Sequence, residues 1–117
     1  MEWNVQFDVD CATWFAGLAE PLQDEILAQV VLLGHRGPQL GRPYVDTVEA
    51  SAFPNMKELR TQFRGEPWRI LFAFDPARSA ILLVGGNKQG DQRWYKKHIP
   101  IADERFRRHL ARLAQNQ

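Results

Sequence analysis

The stretch from Met56 to Lys88 limits most what this chain can become. Met56 to Phe63 is followed by the turn Arg64-Gly65-Glu66-Pro67, then by Trp68-Arg69-Ile70-Leu71-Phe72-Ala73-Phe74-Asp75. A second turn, Pro76-Ala77-Arg78-Ser79, leads into Ala80-Ile81-Leu82-Leu83-Val84-Gly85-Gly86-Asn87-Lys88. Short runs rich in β-branched and aromatic residues, broken by Gly/Pro turns, predict an antiparallel three-stranded meander. Arg60 and Arg69 fall inside the strands. A charge placed there needs a partner, water or a task.

Strand parity sorts these side chains. Glu58, Arg60 and Gln62 share one face of the first strand, and Lys57, Leu59, Thr61 and Phe63 share the other. In the second strand Trp68, Ile70, Phe72 and Phe74 form an apolar face that must pack on helices, so Arg69 points away from it. Helices on one side would leave Glu58, Arg60 and Arg69 as a polar, cationic concavity on the other. The plainer reading is an exposed Glu/Arg ladder across the strands, worth about 0.2–1 kcal/mol.

The flanks supply the helices. Trp3-Asn4-Val5-Gln6-Phe7 alternates like a half-buried strand. Asp8 or Asp10 can cap a helix over Cys11 to Leu18. Leu22, Ile26, Leu27, Val30, Val31 and Leu33 trace an apolar face that predicts a second helix over residues 20–33, with Pro21 in its first turn and Gly34 as its left-handed stop. Residues 37–55, with three prolines and two glycines, predict a long connection with a brief extended piece at Tyr44-Val45. Asp91 can cap a short helix, Pro100 restarts the chain, and Phe106, Leu110 and Leu113 predict a last helix over residues 102–114.

Charge is divided unevenly along the chain. Residues 1–55 carry −6 and residues 56–117 carry +7, behind a formal net charge of +1. A basic half is the footprint of a polyanion partner, unless the halves neutralise each other in the fold. The lone Cys11 excludes an internal disulfide, and no metal set can be built around it. Asp75, Asp91, Asp103 and Glu104 are scattered in turn or cap positions, and His35, His98 and His109 lack ligand spacing and read as surface residues. Of the three, His98 is kept as a candidate because it follows a basic-aromatic cluster. Gly85-Gly86-Asn87-Lys88 has the spacing of neither a P-loop nor a dinucleotide loop. No apolar run reaches membrane-spanning length and no basic-then-apolar leader opens the chain, so a cytoplasmic location is expected.

That cluster joins Lys88, Arg93, Lys96 and Lys97 with Trp94 and Tyr95. Cations hold phosphates and aromatic faces stack unpaired bases, so the mixture suits single-stranded RNA. Trp94 reads as a core anchor, whereas Tyr95 is open to either role.

The order of strand, two helices and long loop continues into Glu58-Leu59-Arg60, Trp68-Arg69-Ile70-Leu71-Phe72, Leu82-Leu83-Val84-Gly85-Gly86-Asn87-Lys88 and a basic segment. Over nearly the whole chain this resembles the RelE/HigB superfamily of bacterial type II toxins, most nearly its phage-derived HigB-like branch. The resemblance implies an α+β, RelE-like fold in one domain, residues 1–117. It would comprise a small antiparallel sheet (N-terminal strand plus meander) packed on two N-terminal helices, with a C-terminal helix. It also implies a ribosome-dependent mRNA endonuclease that needs neither metal nor other cofactor. The expected partners are mRNA, the ribosome and a cognate antitoxin, itself a helix-turn-helix DNA-binding protein. By position Arg69 matches the family's transition-state arginine, and Tyr95 or Lys88 would supply acid/base or orienting contacts. Glu58 completes the candidate catalytic set, with Arg60, Arg64, Arg93, Lys96 and Lys97 as candidates for holding RNA. Lysines that some members carry on the first meander strand are replaced by Glu58 and Arg60, and a lysine-rich tail is replaced by residues 89–100 with Lys88 as its nearest remnant. Glu58 is therefore either the general base or the partner of Arg60 or Arg69. Two alternatives remain: a ParE-like toxin of the same fold that binds gyrase, and an RNA-binding module without catalysis.

Overall fold

The computed structural model describes residues 2–116. Its main elements are β1 (Asn4–Phe7), α1 (Val9–Ala16), α2 (Glu20–Arg36), β2 (Val45–Thr47), β3 (Lys57–Phe63), β4 (Glu66–Phe74), β5 (Ser79–Asn87) and α3 (Trp94–Gln115). The strands form one five-stranded sheet in the order β1-β5-β4-β3-β2. The α+β class and the meander β3-β4-β5 follow the expectation, and every pairing within the meander is antiparallel.

Two features of the sheet differ from the sequence reading. β1 lies parallel to β5, with Asn4 opposite Ser79 and Phe7 opposite Leu82. The intervening α1 and α2 carry the chain over one face and across the sheet, the kind of crossover that parallel neighbours require. The extended piece near Tyr44-Val45 is also a true edge strand, β2, paired with β3 from Val45–Leu59 to Thr47–Lys57.

Both faces are covered. Cys11, Leu22, Ile26 and Leu33 from α1 and α2 pack on Leu59, Ile70, Phe72 and Leu82. On the opposite face Trp94, Ile99, Ala102 and Phe106 of α3 pack on Leu71, Ala73, Ile81 and Leu83. The open cationic face expected from parity is therefore a roofed one. Glu58, Arg60 and Arg69 lie at the end of that face next to the N-terminus of α3.

Local chemistry explains the boundaries. Asp8 caps α1, its Oδ2 accepting from the Asp10 and Cys11 amides at 2.9 and 3.3 Å. α2 does not stop at Gly34 but runs to Arg36, and Gly37, at φ 57°, provides the turn-out. Gly34 serves close approach instead: its carbonyl accepts from Trp3 N at 2.8 Å. α3 is one helix of 22 residues, with no restart at Pro100. Pro100 and Lys96 are both exposed, so the carbonyl left without its helical donor can be hydrated, while Trp94, Ile99, Ala102 and Phe106 anchor both sides of the proline. Gly85 and Gly86 are set by tryptophans on opposite faces: a Cβ on Gly85 would run into the Trp14 ring, and one on Gly86 would lie 2.8 Å from Trp94 Nε1.

Several charged residues hold the layers together. Asp8, buried, accepts from Arg108 at 3.2 Å, and Arg105 donates to the Leu83 carbonyl at 2.8 Å. Part of the charge asymmetry is thus neutralised between α1 and α3. His109 is not a surface residue but lies 2.7 Å from the buried Asp75. Asp103 is not a helix cap; from within α3 it accepts from Ser51 and the Ala52 amide, pinning the loop before β3.

Candidate active site

The cluster at the N-terminal end of α3 is built around one carboxylate. Glu58 on β3 is 4% exposed. Its Oε2 accepts from Arg60 Nη1 at 2.9 Å and its Oε1 accepts from the Tyr95 hydroxyl at 2.6 Å. Arg69 sits directly across from Arg60 in the β3–β4 register, so both arginines project to the same face. Arg69 Nε lies 3.7 Å from Glu58 Oε1, too far for a hydrogen bond.

Arg69 is the unusual group. It is 5% exposed, its Nη1 donates to the Trp68 carbonyl at 2.9 Å, and its Nε has no hydrogen-bond partner. A buried guanidinium with an open donor costs free energy that the fold does not recover.

Tyr95 is held by the first turn of α3. Trp94 before it is 2% exposed and edge-on to its ring, with centroids 5.2 Å apart. The Tyr95 phenol is pushed up to about 12, first by burial and then by its bond to the Glu58 carboxylate, with Arg69 pulling the other way. It stays protonated, a donor, throughout the physiological range. Accordingly, phenolate absorbance from Tyr95 is expected only near pH 12 in the folded protein, and Glu58→Gln should bring it down part of the way while burial still acts. The sign follows: because the folded pKa lies above the ordinary 10.0, this contact contributes its full stability below pH 10 and loses it as pH rises toward 12. A Tyr95 that ionises at the same pH in wild type and Glu58→Gln would contradict this geometry.

Lys88 joins the cluster from the end of β5, its Nζ 5.5 Å from the centre of the Tyr95 ring. All four expected catalytic side chains therefore meet at one place. The expected RNA contacts are more dispersed. Arg60 belongs to the cluster, and Lys96 lines an adjoining groove of about 470 Å³ with Val48, Ala50, Glu58, Tyr95 and Ile99. Arg93 is exposed just before α3. Lys97 pairs with Asp91 at 3.1 Å, and Arg64 occupies the β3–β4 hairpin tip, folded over Phe63. His98 stacks on Trp94 at 4.2 Å and contacts the Trp94 carbonyl through Nδ1, which accounts for it structurally.

Residues 13–107 match the protein family described as phage-derived protein Gp49-like. The chain belongs to this Gp49-like family. It is 52% identical over 99 residues to the candidate toxin HigB3 of Mycobacterium tuberculosis, covering 84% of this chain and 85% of that one. It is 50% identical over 103 residues to the candidate toxin HigB2 of the same organism, covering 86% of this chain but 51% of HigB2, about half its length. The fold is shared with a double-arginine variant of Escherichia coli RelE in the free state, at TM-score 0.58 and 9% identity over 80% of this chain and 92% of that one. An archaeal RelE–RelB complex from Pyrococcus horikoshii gives 0.55 and 12% identity over 77% and 99%. The RelE/HigB resemblance and the RelE-like fold are thus shown.

In this Gp49-like chain a second cavity flanks the cluster on its arginine side. It measures about 300 Å³ and is lined by Gln29, Pro43, Tyr44, Arg60, Gln62 and Arg69. Sequence reasoning missed Gln29, Tyr44 and Gln62, which come from α2, the loop before β2, and β3. The parity of Gln62 with Arg60 was the one available signal. Among the described residues no group of three His, Cys, Asp or Glu side chains gathers as a metal site, and no helix is long and apolar enough to cross a membrane.

Proposed function

We propose that this chain is the toxin of a toxin–antitoxin pair and acts in the cytoplasm as an endonuclease on ribosome-bound mRNA. The observation that carries the chemistry is the buried, incompletely bonded Arg69 beside a carboxylate–phenol pair. Family membership and the HigB-type relatives support the toxin role.

The reaction is attack of a ribose 2′-oxygen on its own 3′-phosphate. Glu58 takes the 2′-hydroxyl proton as the new O–P bond forms. Arg69, with Arg60 released from Glu58 toward the phosphate, stabilises the extra negative charge of the phosphorane. The bond to the 5′-oxygen breaks, and Tyr95 supplies that oxygen's proton. Glu58 then returns the first proton to Tyr95 through the hydrogen bond already present between them. The products are a 2′,3′-cyclic phosphate and a 5′-hydroxyl, so protons balance without an added reactant. Lys88, Arg93 and Lys96 hold the RNA backbone, joined by Arg64 at the hairpin tip and Lys97 where the ribosomal surface reaches them. The antitoxin, a DNA-binding protein, silences the site by covering the Lys88–Lys97 surface or displacing α3.

Purified protein added to translating ribosomes is expected to cut mRNA and to leave 2′,3′-cyclic phosphate and 5′-hydroxyl ends. Cuts that carry 5′-phosphate ends would exclude this mechanism. Growth arrest with intact mRNA would move the target to a protein such as gyrase.

A further inference from the structure

We propose that the cavity between Tyr44, Gln29 and the two arginines reads one nucleobase of the RNA beside the reacting phosphate. The inference rests on the nuclease reading above and adds a specificity site to it. Three observations converge. First, Arg60 and Arg69 belong both to the cavity and to the catalytic cluster, so a ligand seated in the cavity lies next to the group that receives the phosphate. Arg69 Nε, buried and 3.7 Å from Glu58 Oε1, lies at that junction.

Second, the cavity, about 300 Å³, is at the small end of ligand sites, a fit for one base and part of its ribose. Tyr44 is 40% exposed, an uncovered aromatic ring at the rim. Such a ring is a stacking platform for any base. Stacking alone would confer no choice.

Third, two side-chain amides line the same cavity as Tyr44. Gln29 is oriented by Thr61, whose hydroxyl donates to Gln29 Oε1 at 3.1 Å, which leaves the amide nitrogen as a donor. Gln62 is exposed and makes no side-chain hydrogen bond among the described residues, so it can offer a donor and an acceptor together. A glutamine amide pairs with a base edge in two-point fashion, and it tells bases apart because the wrong edge leaves a donor or acceptor unpaired. The groove on the other side of Glu58, lined by Thr47, Val48, Glu49, Ala50, Lys96 and Ile99, has no side-chain amide among its lining residues. The amide reading is therefore confined to the nucleotide on the arginine side of the break.

The test is mapping of RNA 5′ ends after brief induction of wild type, Gln62→Leu, Gln62→Glu and Tyr44→Ala. Wild-type cuts should favour one base at one fixed position next to the break. Gln62→Leu should lose roughly fivefold of that preference, the worth of one net hydrogen bond. Gln62→Glu, which replaces the donor by an acceptor, should shift the preference to a different base. Tyr44→Ala should reduce cutting roughly tenfold at all sites alike. Cuts whose base preference is the same in wild type and both Gln62 variants would overturn the reading site alone, as would wild-type cuts with no preference at that position. A wild type that makes no cuts would overturn the nuclease reading itself, and this one with it.

Discussion

Replacing Arg69 by alanine is expected to abolish RNA cleavage in a protein that still folds. Removing one donor that meets charge only in the transition state typically costs a rate factor of roughly 10² to 10³. Arg69 is placed to be such a donor: it is buried, positively charged and short of a partner at Nε. Glu58 would not be stranded, because Arg60 and Tyr95 still bond its two oxygens at 2.9 and 2.6 Å. The stability cost should therefore stay near about 1–3 kcal/mol, the range for a lost buried polar contact. Arg69→Lys keeps the charge but loses the planar fork, so its rate should fall between wild type and alanine. Single-turnover cleavage on translating ribosomes, alongside a thermal melt of each variant, separates the two effects. Cleavage by Arg69→Ala within a few-fold of wild type would remove Arg69 from the site.

Trp94→Ala should produce the largest loss of stability of any single change on the α3 side, about 3–5 kcal/mol. Trp94 is 2% exposed, packs over Gly86, stacks with His98 and contacts Tyr95 edge-on. Its removal leaves a cavity that glycine cannot fill and frees the first turn of α3. Tyr95 would then lose its fixed distance from Glu58, and cleavage should fall beyond what the unfolded fraction explains. Denaturant unfolding together with cleavage by the folded fraction reads both consequences. A variant as stable as wild type would show that the Gly86–Trp94 packing does not hold α3.

The sheet and the site were legible to different depths. The meander followed from turn residues and β-rich runs, and its parity correctly placed Trp68, Ile70, Phe72 and Phe74 against α1 and α2. Parity also set Glu58, Arg60 and Arg69 on the opposite face, but it could not show that α3 roofs most of that face. The reason is that Pro100 reads locally as a break, whereas burial of Trp94, Ile99 and Phe106 on the sheet outweighs one missing hydrogen bond. Gly34 misled in the same way. A glycine suits a helix stop, but here it suits the close approach of Trp3, and Gly37 is the stop.

By itself the sequence determined periodicity, turn chemistry, the uneven charge and the residue types that could act on a phosphate. These are local properties, set by backbone sterics and by which side chains alternate. The tertiary structure alone decided which charges do which work. It tied Arg105 and Arg108 to Asp8 as structure, and left Arg69 buried with an open donor beside Glu58 and Tyr95. It also brought Gln29, Tyr44 and Gln62 to one cavity. The physical reason is distance: hydrogen bonds and ion pairs act over a few ångströms, and Glu58 and Tyr95 come within 2.6 Å only when α3 closes over the sheet.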